Sequence, residues 1–285
     1  MKRIRKTEEM IMVGLMRFAV IFIAAVLLMI IFSIFYRGFP ALSWEMISQS
    51  PKGGFYYGKG GGVLNAIIGS MYLAVGATLL AMAIGLPVAL YMNVFIRRRQ
   101  RLVHAIRFFL DLLWGVPSIV YGAFGFSIMI LLGMRTSLLA GIITVALFIL
   151  PIMIRAIDEV LQGVSKGLYE ASLSLGSTRT QTAYKVFIRQ ALPGIVTAVL
   201  LSFGRAIGDA AAVLFTTGYT DHIPTSLNQP AATLPLAIFF QLSSPIKEVQ
   251  DRAYAAAVIL TIIVLIISIT ARILSRRFEK HRIKF

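Results

Sequence analysis

The sequence predicts an all-α integral membrane protein with six transmembrane helices and both termini in the cytoplasm. Of the 285 residues, 58% are hydrophobic and only 14% are charged, and the mean hydropathy is +0.83. A soluble domain is about 45–50% apolar and about 25% charged. A soluble chain of this length could not bury so much apolar surface in one core. Six long apolar runs and an alternating distribution of basic residues give the topology.

Each apolar run is long enough to cross a hydrocarbon core of about 30 Å, which takes about 20 helical residues. We assign the six spans to residues 18–36, 63–96, 112–132, 138–154, 194–217 and 253–271. The first run is too long for a signal peptide, and no small-residue cleavage site follows it. The second run exceeds one crossing, so its helix is expected to start inside the run, near Gly69.

The basic residues set the orientation. Most of the 28 Lys and Arg residues fall in the N-terminal tail, the second and fourth connections, and the C-terminal tail. Cytoplasmic segments carry such an excess, so an even number of crossings places both termini in the cytoplasm. A net charge of +16 often indicates nucleic-acid binding. In this chain the basic residues flank apolar runs, and we predict membrane lipid, not nucleic acid, as the surrounding partner.

The external connections differ in length. The first contains Trp44 and the aromatic residues 55–57, which suit a membrane interface. The last, residues 218–252, contains four prolines and an apolar stretch at 234–240. This composition is typical of a segment that folds back into the protein.

No residue pattern indicates catalysis or a metal site. There is no cysteine, and His104, His222 and His281 stand alone in connections or tails. We predict that Asp158 and Glu159 are loop carboxylates in contact with solvent. The chain is therefore not predicted to be an enzyme.

One segment approaches a phosphate-binding loop. Residues 53–59 fit GxxxxGK, but the next residue is Gly60, where Ser or Thr would contact magnesium. No strand precedes the segment, and we interpret Gly60-Gly61-Gly62 as a flexible loop. If ATP drives this protein, another chain binds the nucleotide.

Arg205 is the most unusual residue of the apolar runs. At the middle of the fifth predicted span, an arginine costs about 2.5–3.5 kcal/mol on insertion scales. Asp209 follows at i+4, and Gly204 and Gly208 form a GxxxG pattern. Two interpretations stay open: the two charges neutralise each other and tether helices, or Arg205 lines a route for an anion. For Arg155, at the end of the fourth span, snorkelling to the headgroups is the simplest interpretation.

The fourth connection is the longest cytoplasmic one. Residues 168–175 predict a short helix, and Gly176 supplies its C-terminal cap. Thr178 and Gln181 form a capping box that starts a second short helix. Two helices around a glycine turn make a compact knob, which is either a membrane-surface hairpin or a docking element for a cytoplasmic partner.

Several stretches resemble the permeases of ABC importers. Glu170-Ala171-Ser172, followed by Gly176, resembles their cytoplasmic EAA loop, with Ser172 at the position of the third alanine. Residues 111–120 and 204–210 resemble the phosphate permeases, with Asp209 in place of their glutamate. Residues 227–235 are closer to the PstA type than to the PstC type.

The resemblance implies a MetI-like permease subunit of a phosphate importer in a prokaryotic plasma (inner) membrane. Its implied partners are a PstC-type permease, a PstB-type ATPase dimer and a PstS-type phosphate-binding protein. ATP and magnesium would be used by the ATPase, and this chain would hold no cofactor. The implied site residues are Glu170, Ala171, Ser172 and Gly176 for coupling, and Arg205, Asp209 and Arg155 for the substrate pathway.

Three regions follow from this assignment. Residues 1–62 form the N-terminal tail, first span and external loop. Residues 63–272 form the permease domain, with a coupling loop at about 156–193. Residues 273–285 form a basic cytoplasmic tail.

Other functions remain open from the sequence. The substrate of the same machinery could be sulfate, molybdate or phosphonate, since the binding protein would set most of the selectivity. An ion-coupled secondary transporter or channel predicts internal repeats and several intramembrane carboxylates, whereas the sequence offers Asp209 and no clear repeat. A membrane-embedded enzyme is a weaker alternative, because no nucleophile and base occur together.

Overall fold

The computed structural model describes residues 2–52, 60–97 and 99–279, with side chains from residue 8 to residue 274 of those ranges. All regular structure in these ranges is helical. The α-helices are α1 (Lys2–Gly38), α2 (Trp44–Ser48), α3 (Leu64–Leu90), α4 (Gln100–Trp114), α5 (Ser118–Leu131), α6 (Leu138–Gln162), α7 (Lys166–Ser174), α8 (Arg179–Thr182), α9 (Ile188–Gly208), α10 (Leu234–Leu242) and α11 (Lys247–Glu279). Two segments are π-helical: Tyr91–Phe95 extends α3, and Ala183–Phe187 joins α8 to α9.

Within the described residues, five continuous helices are long and apolar enough to cross a membrane, and the number reaches the predicted six if α4 and α5 together count as one bent span. The continuous spans are Glu8–Gly38, Leu64–Phe95, Leu138–Gln162, Arg179–Gly208 and Lys247–Leu274. The second span starts at Leu64, and the prediction of a start near Gly69 was wrong.

The third span is broken, whereas the sequence predicted one helix over residues 112–132. The helices α4 and α5 meet at an angle of 93°. Pro117 has no N–H to donate, and it disfavours the helical conformation of Val116. The chain therefore ends α4 at Trp114 and starts α5 at Ser118.

The fifth span ends earlier than predicted. Its helix stops at Gly208, and Asp209 has extended backbone angles (φ −85°, ψ 122°). The following irregular segment is nevertheless buried, with Val213, Thr217 and Ala232 fully inaccessible. Irregular backbone at membrane depth is tolerated only inside protein or beside a water-filled cavity. Residues 209–217 therefore form packed loop structure where the sequence predicted helix.

The fourth span is longer than predicted. Helix α6 runs to Gln162, so Arg155, Asp158 and Glu159 lie on a helix and not in a loop. The helix continues through these charges because Arg155 and Asp158 are paired within the protein.

The centre of the bundle is the contact between α3 and α6. Both helices are buried along this contact, including Leu73 and Ala77 of α3 and Ile149 and Met153 of α6. Gly76 lies directly against Ile142 of α6, where a larger side chain would collide. Small residues allow this close approach between helices in a membrane.

The proline-rich connection folds back as predicted. Helix α10 is buried at its first turn, with Leu234, Leu236 and Ala237 inaccessible. Its first N–H, on Leu234, donates to Ser70 Oγ at 2.7 Å. Gly69 lies against the carbonyl of Ala232, so α3 and this segment pack without an intervening side chain.

Candidate functional site

Arg205 lies in the last turn of α9, at the end of a helix and not at its middle. Its side chain is exposed on the chain's surface, and its guanidinium carbon is 4.9 Å from the ring centroid of Phe148. Among the described residues it makes no salt bridge. A guanidinium over an aromatic face keeps its N–H donors at the ring edge, available to another acceptor. A Cβ added at Gly204 or Gly208 would meet no described atom within 4 Å, so no neighbouring helix of the described residues packs directly against these two positions.

Asp209 does not pair with Arg205. Asp209 Oδ1 accepts a hydrogen bond from the Ala212 N–H at 2.7 Å, which stabilises the turn that follows α9. Because Asp209 lies beyond the helix, the predicted i+4 relation to Arg205 does not hold. The first of the two interpretations, mutual neutralisation, was wrong for this pair.

Phe148 connects Arg205 to a second arginine. It is packed edge-to-face against Tyr121, with ring centroids 5.6 Å apart. Arg155 lies seven residues further along α6, which is two turns and about 10 Å along the same helix face. Through Phe148, Arg205 therefore contacts the face of α6 that carries Arg155 two turns further on.

Arg155 is held in place by two carboxylates. Its Nε donates to Asp111 Oδ1 at 2.6 Å, and its Nη1 donates to Asp158 Oδ2 at 2.9 Å. The Arg155 side chain is 25% exposed and that of Asp111 is 49% exposed. Arg155 is thus a partly accessible cation in a fixed position, and not a side chain that reaches freely for headgroups.

Asp158 is the residue that the sequence analysis missed. Its side chain is 0% exposed, contrary to the prediction of a solvated loop carboxylate. Arg107 binds it bidentately, through Nε at 2.9 Å and Nη2 at 3.0 Å. Asn93 Nδ2 and Gln162 Nε2 also donate to it, at 2.8 and 2.9 Å. We call Asp158, Arg107, Arg155, Asn93 and Gln162 the Asp158 cluster.

The Asp158 cluster joins three parts of the chain. Asn93 belongs to the π-helical segment after α3, Arg107 to α4, and the remaining members to α6. A π-helical turn shifts the side chains after it relative to an α-helix, and such turns are frequent at functional sites. Arg155, Asp158 and Gln162 have the spacing of residues on one helix face. This relation would have been visible from the sequence if the predicted fourth span had continued to Gln162 and not stopped at residue 154. Nothing local to residue 158 indicated Arg107 or Asn93.

The predicted coupling segment forms a helix, a glycine turn and a capping box. Helix α7 ends in a Schellman motif, in which Ser177 N–H donates to the Ser172 carbonyl and Gly176 N–H to that of Leu173. Gly176 has φ +79°, which favours glycine. The capping box of Thr178 and Gln181 is present as predicted.

The surface of the coupling segment faces outward. Glu170 and Ala171 are exposed, and Leu175 at the turn is 87% exposed. Ser172 is buried, and its hydroxyl lies 2.9 Å from that of Thr182, which ties α7 to α8. The second half of the predicted knob is not a separate helix: residues 179–208 continue as one span of 30 residues. The coupling segment is therefore joined through one helix of about 45 Å to Arg205.

Several other features named in the sequence analysis lie elsewhere in the chain. The glycine-rich segment 53–59, its Lys59 and His281 lie outside the described residues. His104 Nδ1 lies 2.7 Å from the carbonyl of Gln100 on its own helix. Within the described ranges, no group of three or more His, Cys, Asp or Glu residues is placed to hold a metal ion.

The chain is similar to known proteins over nearly its whole length. Residues 85–284 match the family described as binding-protein-dependent transport system inner membrane component. The chain is 34% identical over 278 residues to the phosphate transport system permease protein PstA of Haemophilus influenzae, covering 98% of this chain and 96% of that protein. It is 35% identical over 269 residues to the PstA protein of Pasteurella multocida, covering 94% and 95% of the two chains.

Solved structures share the fold. The MetNI methionine ABC transporter in an inward-facing conformation contains a chain that aligns with a TM-score of 0.62 at 22% identity. The alignment covers 76% of this chain and 95% of that one. This confirms the predicted MetI-like permease architecture.

Proposed function

Because the chain belongs to the binding-protein-dependent transport system inner membrane components, we propose that it is the permease subunit of an ATP-driven importer of inorganic phosphate. The observation that carries the substrate assignment is the identity of about one third to proteins named as phosphate permeases, over nearly the whole chain. Arg205, exposed at the end of α9, is chemically suited to phosphate, because a guanidinium forms two parallel hydrogen bonds to an oxyanion.

This chain forms one part of the importer. A PstC-type permease supplies the other half of the pathway, a PstB-type ATPase dimer hydrolyses ATP, and a PstS-type protein delivers phosphate from outside. The chain spans the prokaryotic inner membrane with both termini in the cytoplasm, as the distribution of basic residues predicts. It binds no cofactor of its own, and ATP and magnesium belong to the ATPase.

The substrate route passes along α6 and α9. Arg205 makes no salt bridge among the described residues and faces an uncovered surface, where a second permease subunit completes the pathway. Arg155 lies two turns beyond Phe148 along α6, and its side chain is 25% exposed. Asp209 holds the chain turn next to Arg205 and so orients the end of α9. Phosphate moves between the two arginines. Each arginine binds phosphate weakly, so that the anion is released to the next site.

The coupling segment transmits motion from the ATPase. Its exposed residues Glu170, Ala171 and Leu175 enter a groove on the ATPase, as an amphipathic helix enters a groove. Ser172 and Gly176 hold the shape of the segment from within. A movement of α7 is passed to α8 and along the continuous helix to Arg205.

Charge reversal at the coupling segment tests this contact. We expect Glu170→Lys to reduce the amount of ATPase that co-purifies with the permease by about tenfold, with little change in the fold, because Glu170 is exposed and makes no salt bridge among the described residues. Glu248→Lys, a change at an exposed residue on α11, is the matched control. Equal ATPase recovery from both variants would show that this segment does not dock.

Vesicle transport tests the substrate. The chain and its neighbours are reconstituted together, and ATP-dependent uptake of radioactive phosphate is measured with sulfate, molybdate and phosphonate as competitors. We expect uptake that requires both ATP and the binding protein and that excess phosphate alone suppresses. Uptake of another oxyanion in place of phosphate would reassign the substrate, and uptake without the ATPase would favour a secondary transporter.

A further inference from the structure

We propose that a basic cavity beside the coupling segment binds a phosphate-class anion, supplied by inorganic phosphate or by the headgroup of a lipid. The basic cavity has a volume of about 220 Å³ and lies between α4, α6, α7 and the two π-helical segments. Its polar lining consists of three cations and three amides: Arg97, Arg107, Lys166, Asn93, Gln100 and Gln162. None of the described residues that line it is a carboxylate.

Each of the three cationic side chains has N–H groups that are not used in a salt bridge within the described residues. Lys166 makes no salt bridge or hydrogen bond within the described part of the chain. Arg97 is half-buried, and its guanidinium is held 5.4 Å from the ring centroid of Tyr169. Arg107 uses Nε and Nη2 on Asp158, which leaves the N–H groups of Nη1 for another acceptor. Three cationic side chains therefore line the cavity. One of them, Arg107, is paired with the fully buried carboxylate of Asp158.

Two helices begin at residues that line the same cavity. Helix α4 has 15 residues and begins at Gln100, and α7 has nine and begins at Lys166. Both of these first residues line the cavity. Neither helix has a side-chain cap or an acidic residue in its first turn. Uncapped N–H groups and the positive end of the helix dipole favour an anion.

The size of the cavity suits a small, hydrated anion. A water molecule occupies about 30 Å³ of liquid volume, so 220 Å³ holds a tetrahedral oxyanion together with several waters. Phosphate accepts hydrogen bonds on all its oxygens, which suits the cationic donors of the cavity, while the amides of Asn93, Gln100 and Gln162 already donate within the protein.

The basic cavity is separate from the Arg205 surface and communicates with the coupling segment. A neighbouring cavity of about 340 Å³ shares Arg97, Gln100 and Lys166 and extends to Glu170 and Arg179. An anion in the basic cavity would thus contact the first residue of α7. It would also share Arg107 with the Asp158 cluster. An anion in the basic cavity would therefore touch both the coupling segment and the Asp158 cluster.

The test measures anion binding by the purified permease–ATPase complex without the binding protein. All variants carry Arg205→Ala, so that binding along the proposed substrate route does not contribute. Radioactive inorganic phosphate is dialysed against the complex in lipid-free detergent. In parallel, the complex is placed in nanodiscs of phosphatidylcholine with or without phosphatidic acid, and retained phosphatidic acid is quantified.

We expect Arg97→Gln with Lys166→Gln to weaken binding of the anion about tenfold, because each charge-assisted hydrogen bond contributes strongly. Arg101→Gln is the matched control, since Arg101 is exposed on the first turn of α4 and does not line the cavity. If the double variant fails to assemble, the single change at exposed Lys166 serves in its place.

Each outcome decides the proposal. Arg97- and Lys166-dependent binding of free phosphate identifies the ligand as inorganic phosphate, and dependence seen only with phosphatidic acid identifies a lipid headgroup. Binding that is equal in the Arg205→Ala parent, double-variant and control complexes in both arms would overturn the site. A second result would also overturn the site: the double variant binds the anion as before but no longer retains the ATPase. The cations of the cavity would then pair with a carboxylate of the ATPase and not with a free anion. None of these results depends on transport, so failure of the anion site is distinct from failure of the proposed function.

Discussion

Arg205→Ala is expected to abolish phosphate uptake while leaving the assembled complex intact. The Arg205 side chain is exposed and makes no salt bridge within the described residues, so its removal disturbs little of the fold. Its contact with Phe148 is worth about 0.5–1 kcal/mol at an exposed site. Uptake into vesicles and subunit recovery after size-exclusion chromatography are measured on the same preparation.

Two variants make this result specific. Arg205→Lys keeps the charge but loses the planar pair of donors, and we expect it to restore only a small part of the uptake. Arg135→Ala removes an exposed arginine from the connection between α5 and α6 and should transport normally. If Arg205→Ala instead dissociates the complex, Arg205 has a structural role and the proposed route is wrong.

Asp158→Ala is expected to destabilise the protein strongly, because the lost carboxylate is fully buried and pairs with two arginines. The change leaves Arg107 without a counter-ion in the partly buried Asp158 cluster and removes one of the two carboxylates that hold Arg155. Removing one partner of a buried ion pair costs about 3–5 kcal/mol. The free energy of unfolding should fall by about this amount, and the midpoint of thermal unfolding in detergent should fall with it.

The adjacent carboxylate provides the control for this change. Glu159 is exposed on the same helix, and Glu159→Ala should leave the unfolding midpoint nearly unchanged. Combining Asp158→Asn with Arg107→Gln removes one charge of each sign and should recover part of the lost stability. If Asp158→Ala unfolds at the same temperature as Glu159→Ala, Asp158 is solvated after all, and the Asp158 cluster does not hold these helices together.

Local chemistry explains where the sequence-based predictions were right. A capping box needs only Thr178 and Gln181, three residues apart, and a Schellman turn needs only a glycine after a short helix. The long apolar runs specify spans because no other arrangement satisfies the backbone in lipid. The proline-rich segment before α10 folds back because its apolar residues need a buried environment.

Long-range contacts explain where the predictions were wrong. Arg155 and Asp158 were placed in or at the edge of a loop because two charges normally end an apolar span. The helix continues because Asp158 is neutralised by Arg107, 51 residues away, and hydrogen-bonded by Asn93, 65 residues away. Asp209 was assigned to the face of Arg205 because periodicity alone does not show that the helix has already ended.

The sequence by itself determined that this chain lies in a membrane, where its long apolar helices run, and the glycine turn and capping box of its coupling segment, since these follow from hydrophobicity and interactions between near neighbours. The tertiary structure alone decided which charges are paired and which are free. A side chain's partner, and hence its exposure, depends on helices that are distant along the chain and meet only after packing. That physical difference separates the buried carboxylate of Asp158 from the open guanidinium of Arg205.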